Sequence, residues 1–203
     1  MKKVLCYGDS NTFGYNPADC SRFDEQTRWT ALLQENLPDD YQVINEGMCD
    51  RTGFVNNDKG DMFSAQRHFP KVIEKIKNVH ILILAVGTND FQFKYDVSSE
   101  QIEKGLEKLI LIAENHAKRI IIIPPVILDK TVLEGYFVCQ FNETSILKSQ
   151  NAGNIFEKLS KQFGLELFDF NKFVTPSKTD GLHYDENGHK IIADKLTEFI
   201  MNT

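Results

Sequence analysis

This 203-residue sequence contains no long hydrophobic run. Its longest apolar stretch, Val79 to Val86, carries His80 and is far too short for a membrane-spanning helix. After Met1-Lys2-Lys3, the apolar pair Val4-Leu5 is cut off by Gly8-Asp9 before a secretory segment can form. The expected location is therefore the cytoplasm, with no membrane partner. Positive charge is scarce: 23 Lys and Arg stand against 29 Asp and Glu, for a net charge of −6. Nucleic-acid binding calls for basic patches, so a nucleic-acid partner is not expected. The four cysteines, Cys6, Cys20, Cys49 and Cys139, form no CxxC pair and show no regular spacing. They read as small buried hydrophobes of a reducing compartment, with Cys49 alone near a polar motif. The five histidines form no HExxH and no His/Cys ligand set, so no metal is expected.

What the chain does contain is alternation. Short β-branched runs take turns with longer amphipathic ones, the pattern of a parallel sheet covered by helices on both faces. Strands are expected at Lys3–Tyr7, Tyr41–Asn45, His80–Val86, Arg119–Ile123 and Glu166–Phe168. Helices are expected at Trp29–Asn36, Phe69–Asn78, Ser99–Ala117, Asn142–Phe163 and Asn187–Met201. Pro70 suits a first helical turn, Ser98 and Gln101 match a capping box, and Gly164 suits a left-handed cap. With no repeat, linker or composition shift, residues 1–203 are expected to form a single α/β domain built on a five-stranded parallel sheet.

In such sheets, ligands sit at the carboxyl ends of the strands. Four polar blocks fall there: Gly8-Asp9-Ser10 after the first strand, Asn45-Glu46-Gly47 after the second, Gly87-Thr88-Asn89-Asp90 after the third, and Asp180-Gly181-Leu182-His183 before the last helix. A serine hydroxyl is a poor nucleophile until an imidazole takes its proton and a carboxylate fixes the imidazole. Ser10, His183 and Asp180 are the candidates for these catalytic roles. The backbone N–H groups of Ser10 and Gly47 and the side-chain amide of Asn89 are candidate oxyanion donors. Taken singly, each has a plainer reading: Ser10 as a helix cap, Asn89-Asp90 as a turn pair, His183 as a surface histidine.

These blocks, in this order and over nearly the whole chain, resemble the SGNH hydrolase (GDSL esterase/lipase) superfamily. The resemblance implies a flavodoxin-like three-layer α/β/α sandwich and a two-step acyl transfer through an acyl-Ser10 intermediate. No cofactor is implied. Thr27-Arg28-Trp29-Thr30 and Asn45-Glu46-Gly47-Met48-Cys49-Asp50-Arg51-Thr52 are similar to the bacterial arylesterase/acyltransferase branch. That branch implies cleavage of small, often acetyl, esters, with acyl transfer to alcohols in some members and homo-oligomers in many. Asp9, Trp29, Met48, Phe91, Phe137 and Phe141 are candidate substrate-binding residues, and Val126 to Phe141 is expected to shape the pocket. Arg51 reads either as a binder of a polar substrate group or, the favoured reading, as an ion-pair partner of Glu46 or Asp50, and His189 reads as a non-catalytic residue of the last helix.

The chain order Ser–Asp–His is shared with α/β-hydrolases, but the Gly-x-Ser-x-Gly elbow of that fold is missing. A carbohydrate O-acetyl esterase and a lysophospholipase or thioesterase share the same chemistry. A non-enzymatic ligand-binding module on the same scaffold would require Ser10 and His183 to lie out of reach of each other.

Overall fold

The computed structural model describes residues 1–202. Five strands, β1 (Lys2–Gly8), β2 (Tyr41–Gly47), β3 (Val79–Ala85), β4 (Ala117–Ile122) and β5 (Glu166–Leu167), form one sheet in the order β2-β1-β3-β4-β5. Every pairing is parallel. The inner strands are apolar over most of their length because both faces are covered, and Val4 to Tyr7 and Ile81 to Leu84 are fully buried.

Six α-helices flank the sheet: α1 (Ser10–Phe13), α2 (Trp29–Asn36), α3 (Ala65–Ile76), α4 (Ser99–Glu114), α5 (Glu143–Phe163) and α6 (Glu186–Asn202). Parallel crossovers are right-handed. The chain steps outward from β1 to β2, then back across the sheet through β3, β4 and β5. The first crossover therefore places α2 on one face, and the later ones place α3, α4 and α5 on the other. In agreement, α2 packs on α6, α3 on α4, and α4 on α5. The direction reverses between β1 and β3, so the loops leaving these neighbours diverge and open a crevice. No helix among the described residues is long and apolar enough to cross a membrane.

The expected strands lie close to the observed ones, and α2 has the expected bounds. Both bonds of the Ser98/Gln101 capping box form at α4. Asn142 and Ser145 form a second box at α5, which ends at Gly164 with φ 64°. Other expectations are corrected. Helix α3 starts at Ala65, so Pro70 lies inside it rather than in its first turn. Pro70 has no N–H to give the Gln66 carbonyl, yet the buried stripe of Phe69, Val72 and Ile73 holds the helix together. Helix α4 stops at Glu114, because residues from Ala117 onward pair with β3. Of the cysteines only Cys6 is buried; Cys20 and Cys139 are exposed and Cys49 is intermediate.

Gly105, inside α4, presses on the loop after β2. A Cβ there would lie 2.7 Å from both Cα and Cβ of Phe54. Glycine-to-alanine changes in helix interiors ordinarily stabilise by about 1 kcal/mol. Here the sign is expected to reverse: Gly105→Ala should destabilise by about 1–3 kcal/mol in urea unfolding, through overpacking.

Candidate active site

Ser10 opens α1, a single turn directly after β1 that the sequence pattern does not disclose. Asp9 caps this turn, accepting from the Asn11 N–H at 3.1 Å, and its other oxygen takes the Thr88 N–H at 3.3 Å. Asp9 is thus turned into the protein as a brace between the loops after β1 and β3, and the expectation that it lines the pocket is corrected. Burial pushes its carboxyl up, with hydrogen bonds from Thr88 and Asn11 opposing.

Ser10 is only 6% exposed. Its Oγ lies 2.8 Å from His183 Nε2, and His183 Nδ1 lies 2.6 Å from Asp180 Oδ2. The second oxygen of Asp180 accepts the N–H groups of Leu182 and His183, each at 2.9 Å. Burial alone would raise the Asp180 carboxyl, but the His183 hydrogen bond and charge, with the two backbone donors, hold it below the usual range. The sequence-predicted trio is therefore contiguous, in the order carboxylate, imidazole, hydroxyl.

Above the imidazole sit two aromatic rings. Tyr15 lies over His183 at 4.2 Å between centroids, and Phe137 approaches it at 5.5 Å. Phe137 was expected at the pocket; Tyr15 was not. The signal for Tyr15 was Gly14, whose left-handed conformation (φ 89°) ends α1 and turns the next residue back over the site. Trp29, Phe91 and Phe141 lie in the interior instead, 1%, 1% and 2% exposed. Trp29 is anchored there by its indole N–H, which donates to the Asn11 carbonyl at 2.9 Å. Met48 is partly buried on the loop after β2, its N–H on the Gly8 carbonyl.

The oxyanion expectation is revised at one position. The Gly47 N–H is already given to Asn45 Oδ1 at 2.8 Å. Gly47 is glycine for a packing reason: a Cβ would lie 2.1 Å from the backbone N of Phe13. Along this block, Met48 donates to Gly8, Arg51 to Met48 and Thr52 to Phe63, while the Cys49 N–H has no acceptor among the described residues. Asp50, with φ 63°, is left with an N–H given to no acceptor among the described residues. The Ser10 N–H, at the start of α1, is likewise free. Asn89 donates one amide hydrogen to the Arg51 carbonyl at 3.1 Å and keeps the other. Its orientation is fixed by Gln92 Nε2, which donates to Asn89 Oδ1 at 3.2 Å and to Asp50 Oδ1 at 3.1 Å.

Two buried charges frame these donors. Asp90 accepts the N–H groups of Phe54 at 2.7 Å and Val55 at 2.9 Å, and also that of Gly53. It holds the loop after β2 against the one after β3, and burial pushes its carboxyl up to about 7 despite these bonds. Arg51 donates to the carbonyls of Gly8 (2.8 Å), Met62 (3.0 Å) and Glu46. Its oxygen partners are carbonyls rather than the carboxylates expected for it, since it caps the ends of β1 and β2, and its Nη2 also lies 3.4 Å from His68 Nδ1. Burial pushes the Cys49 thiol up to about 11, which keeps it protonated and non-nucleophilic at neutral pH.

Serine, imidazole and carboxylate aligned at the switch point of an α/β sheet form an arrangement that suits acyl-transfer chemistry. The chain belongs to the GDSL-like lipase/acylhydrolase family, a family of ester hydrolases, whose model matches residues 4–196. Among solved structures it resembles the native aryl esterase of M. smegmatis, with a TM-score of 0.92, 22% identity, and 100% of this chain and 99% of that one covered. A carbohydrate acetylesterase family member from Sinorhizobium meliloti matches with a TM-score of 0.91 and 25% identity, over 100% and 98% of the two chains. A member of the lipolytic G-D-S-L family from Veillonella parvula matches with a TM-score of 0.71 and 17% identity, over 100% of both. Comparison with curated proteins finds no match.

His189, in the first turn of α6, is fully buried, and its Nδ1 accepts the Trp29 N–H at 3.3 Å. Burial first, then the charges of His183 and Arg28, push it down to about 3. Its folded value thus lies below its unfolded one, near 6.5. The neutral ring contributes stability that is complete above about pH 6.5 and lost as pH falls toward 3, up to about 5 kcal/mol. In urea unfolding across this window, His189→Gln should lose stability less steeply than the parent; equal slopes would contradict the assignment.

Proposed function

We propose that the chain hydrolyses small acyl esters, acetyl esters foremost, through an acyl-Ser10 intermediate. The observation that carries this reading is the unbroken line from Asp180 through His183 to Ser10, at 2.6 Å and 2.8 Å. In the first step, Ser10 Oγ attacks the ester carbonyl carbon while His183 Nε2 takes its proton. Asp180 holds Nδ1–H and steadies the positive charge on the ring. The negative charge on the carbonyl oxygen falls to the Ser10 N–H, the Asp50 N–H and the Asn89 amide. His183 then gives its proton to the leaving alkoxide, and the alcohol departs. Water, deprotonated by His183, attacks the acyl-enzyme; the ring returns the proton to Ser10 Oγ, and the carboxylic acid is released. An alcohol in place of water receives the acyl group by the same step. Each proton and electron pair is accounted for by ester, water and these side chains, so the scheme calls for no cofactor.

Substrate size follows from the rings beside the base. Tyr15 and Phe137 close over His183, which favours a short acyl chain. The likeness to an aryl esterase and to a carbohydrate acetylesterase supports aryl and sugar acetates as the first substrates to try.

Ser10→Ala and His183→Ala are each expected to lower kcat on an aryl acetate by about 10⁶, since members of such a trio act as a unit. An organophosphonate should label the parent once per chain, on Ser10. Wild-type rates in both variants would overturn the assignment. Asn89→Ala should cost about 10²–10³ in kcat with KM little changed. Along a series of aryl esters, kcat/KM should fall as the acyl chain lengthens; a preference for chains beyond about eight carbons would refute the small-acyl reading.

A further inference from the structure

We propose that Asn11 is the positioning residue that places the base over the nucleophile, a role that rests on Ser10 and His183 acting as read above. Asn11 Nδ2 donates to the Leu182 carbonyl at 3.3 Å, and Asn11 Oδ1 accepts the Tyr184 N–H at 3.2 Å. These two backbone groups lie immediately before and after His183. One primary amide thus grips the chain on both sides of the base, as the edge of a neighbouring strand would.

The grip matters because little else of this kind joins the two segments. Among the described residues, the hydrogen bonds between the turn at 9–12 and the loop at 180–184 are the Ser10–His183 contact and the two made by Asn11. Asp180 orients His183, but it belongs to the same loop and moves with it. Asn11 is itself fixed: its N–H is held by Asp9, and its carbonyl by the Trp29 indole. It is 8% exposed, so both amide bonds are sheltered from competing water. A sideways drift of His183 relative to Ser10 would break both bonds at once. Displacements of about 1 Å at a reacting pair can cost on the order of 10² in rate.

Asn11→Leu keeps the bulk and removes both bonds; Asn11→Ala removes them and leaves room for water to satisfy Leu182 and Tyr184. Each is made in the parent and in a His183→Ala background, with folding followed by circular dichroism. Whichever variant folds should lower kcat on an aryl acetate by about 10–100-fold with KM within about threefold. In the His183→Ala background the same change should leave the residual rate within about twofold, because no base remains to be placed. Parent-like kcat for folded Asn11→Ala, or the same loss in both backgrounds, overturns the proposal. Failure of the nucleophile–base reading is distinguishable, since His183→Ala alone would then keep its rate.

Discussion

The hydrogen bond from Ser10 to His183 joins groups 173 residues apart, and its 2.8 Å length leaves no slack. A proton transfer between side chains requires this proximity; a separation of a few ångströms more would leave an inert hydroxyl and a buried imidazole. Neither partner can secure it alone. Ser10 is placed by β1 and the single turn after it, whereas His183 is placed by the loop between β5 and α6. The sheet, with α2 and α6 packed on one face, brings these two pieces to the same end of the molecule.

Around that contact, buried polar residues take over what an apolar core cannot do. Loops at the strand ends expose backbone groups that must be paired when water is excluded. Asp90 takes three N–H groups of the loop after β2, Asp9 takes one from the loop after β1 and one from the loop after β3, and Arg51 serves carbonyls of three segments. Each is a buried ionisable group surrounded by backbone dipoles, so removing one strands several partners together. The N–H groups of Ser10 and Asp50 are among those in these loops that keep no acceptor among the described residues.

Much of this was legible in the residues. Near-continuous apolar runs such as His80 to Val86 fit central parallel strands, and the four polar blocks mark the carboxyl ends of the strands. What could not be read was direction. Trp29, Phe91 and Phe141 sit near the right loops but are buried in the apolar core, a choice of direction that residue type and position along the chain do not reveal. Gly47 invited an oxyanion role because glycine suits close approach, but what approaches is the backbone of α1 rather than substrate. Asp50 was hidden because its contribution comes from a backbone group in a left-handed residue, a conformation that side-chain chemistry does not announce. Pro70 misled for a related reason: the pattern marked its preferred place, and tertiary burial of Phe69 and Val72 extended the helix past it.

The wide separation of Ser10 and His183 along the chain also has a temporal meaning. A ribosome adding about 5–20 residues per second needs on the order of ten to thirty-five seconds to travel from Ser10 to His183. During that interval β1 and its neighbours can already pair, yet the serine has no partner to accept its proton. On the function proposed above, reactivity would therefore arrive late in synthesis, when the C-terminal loop docks.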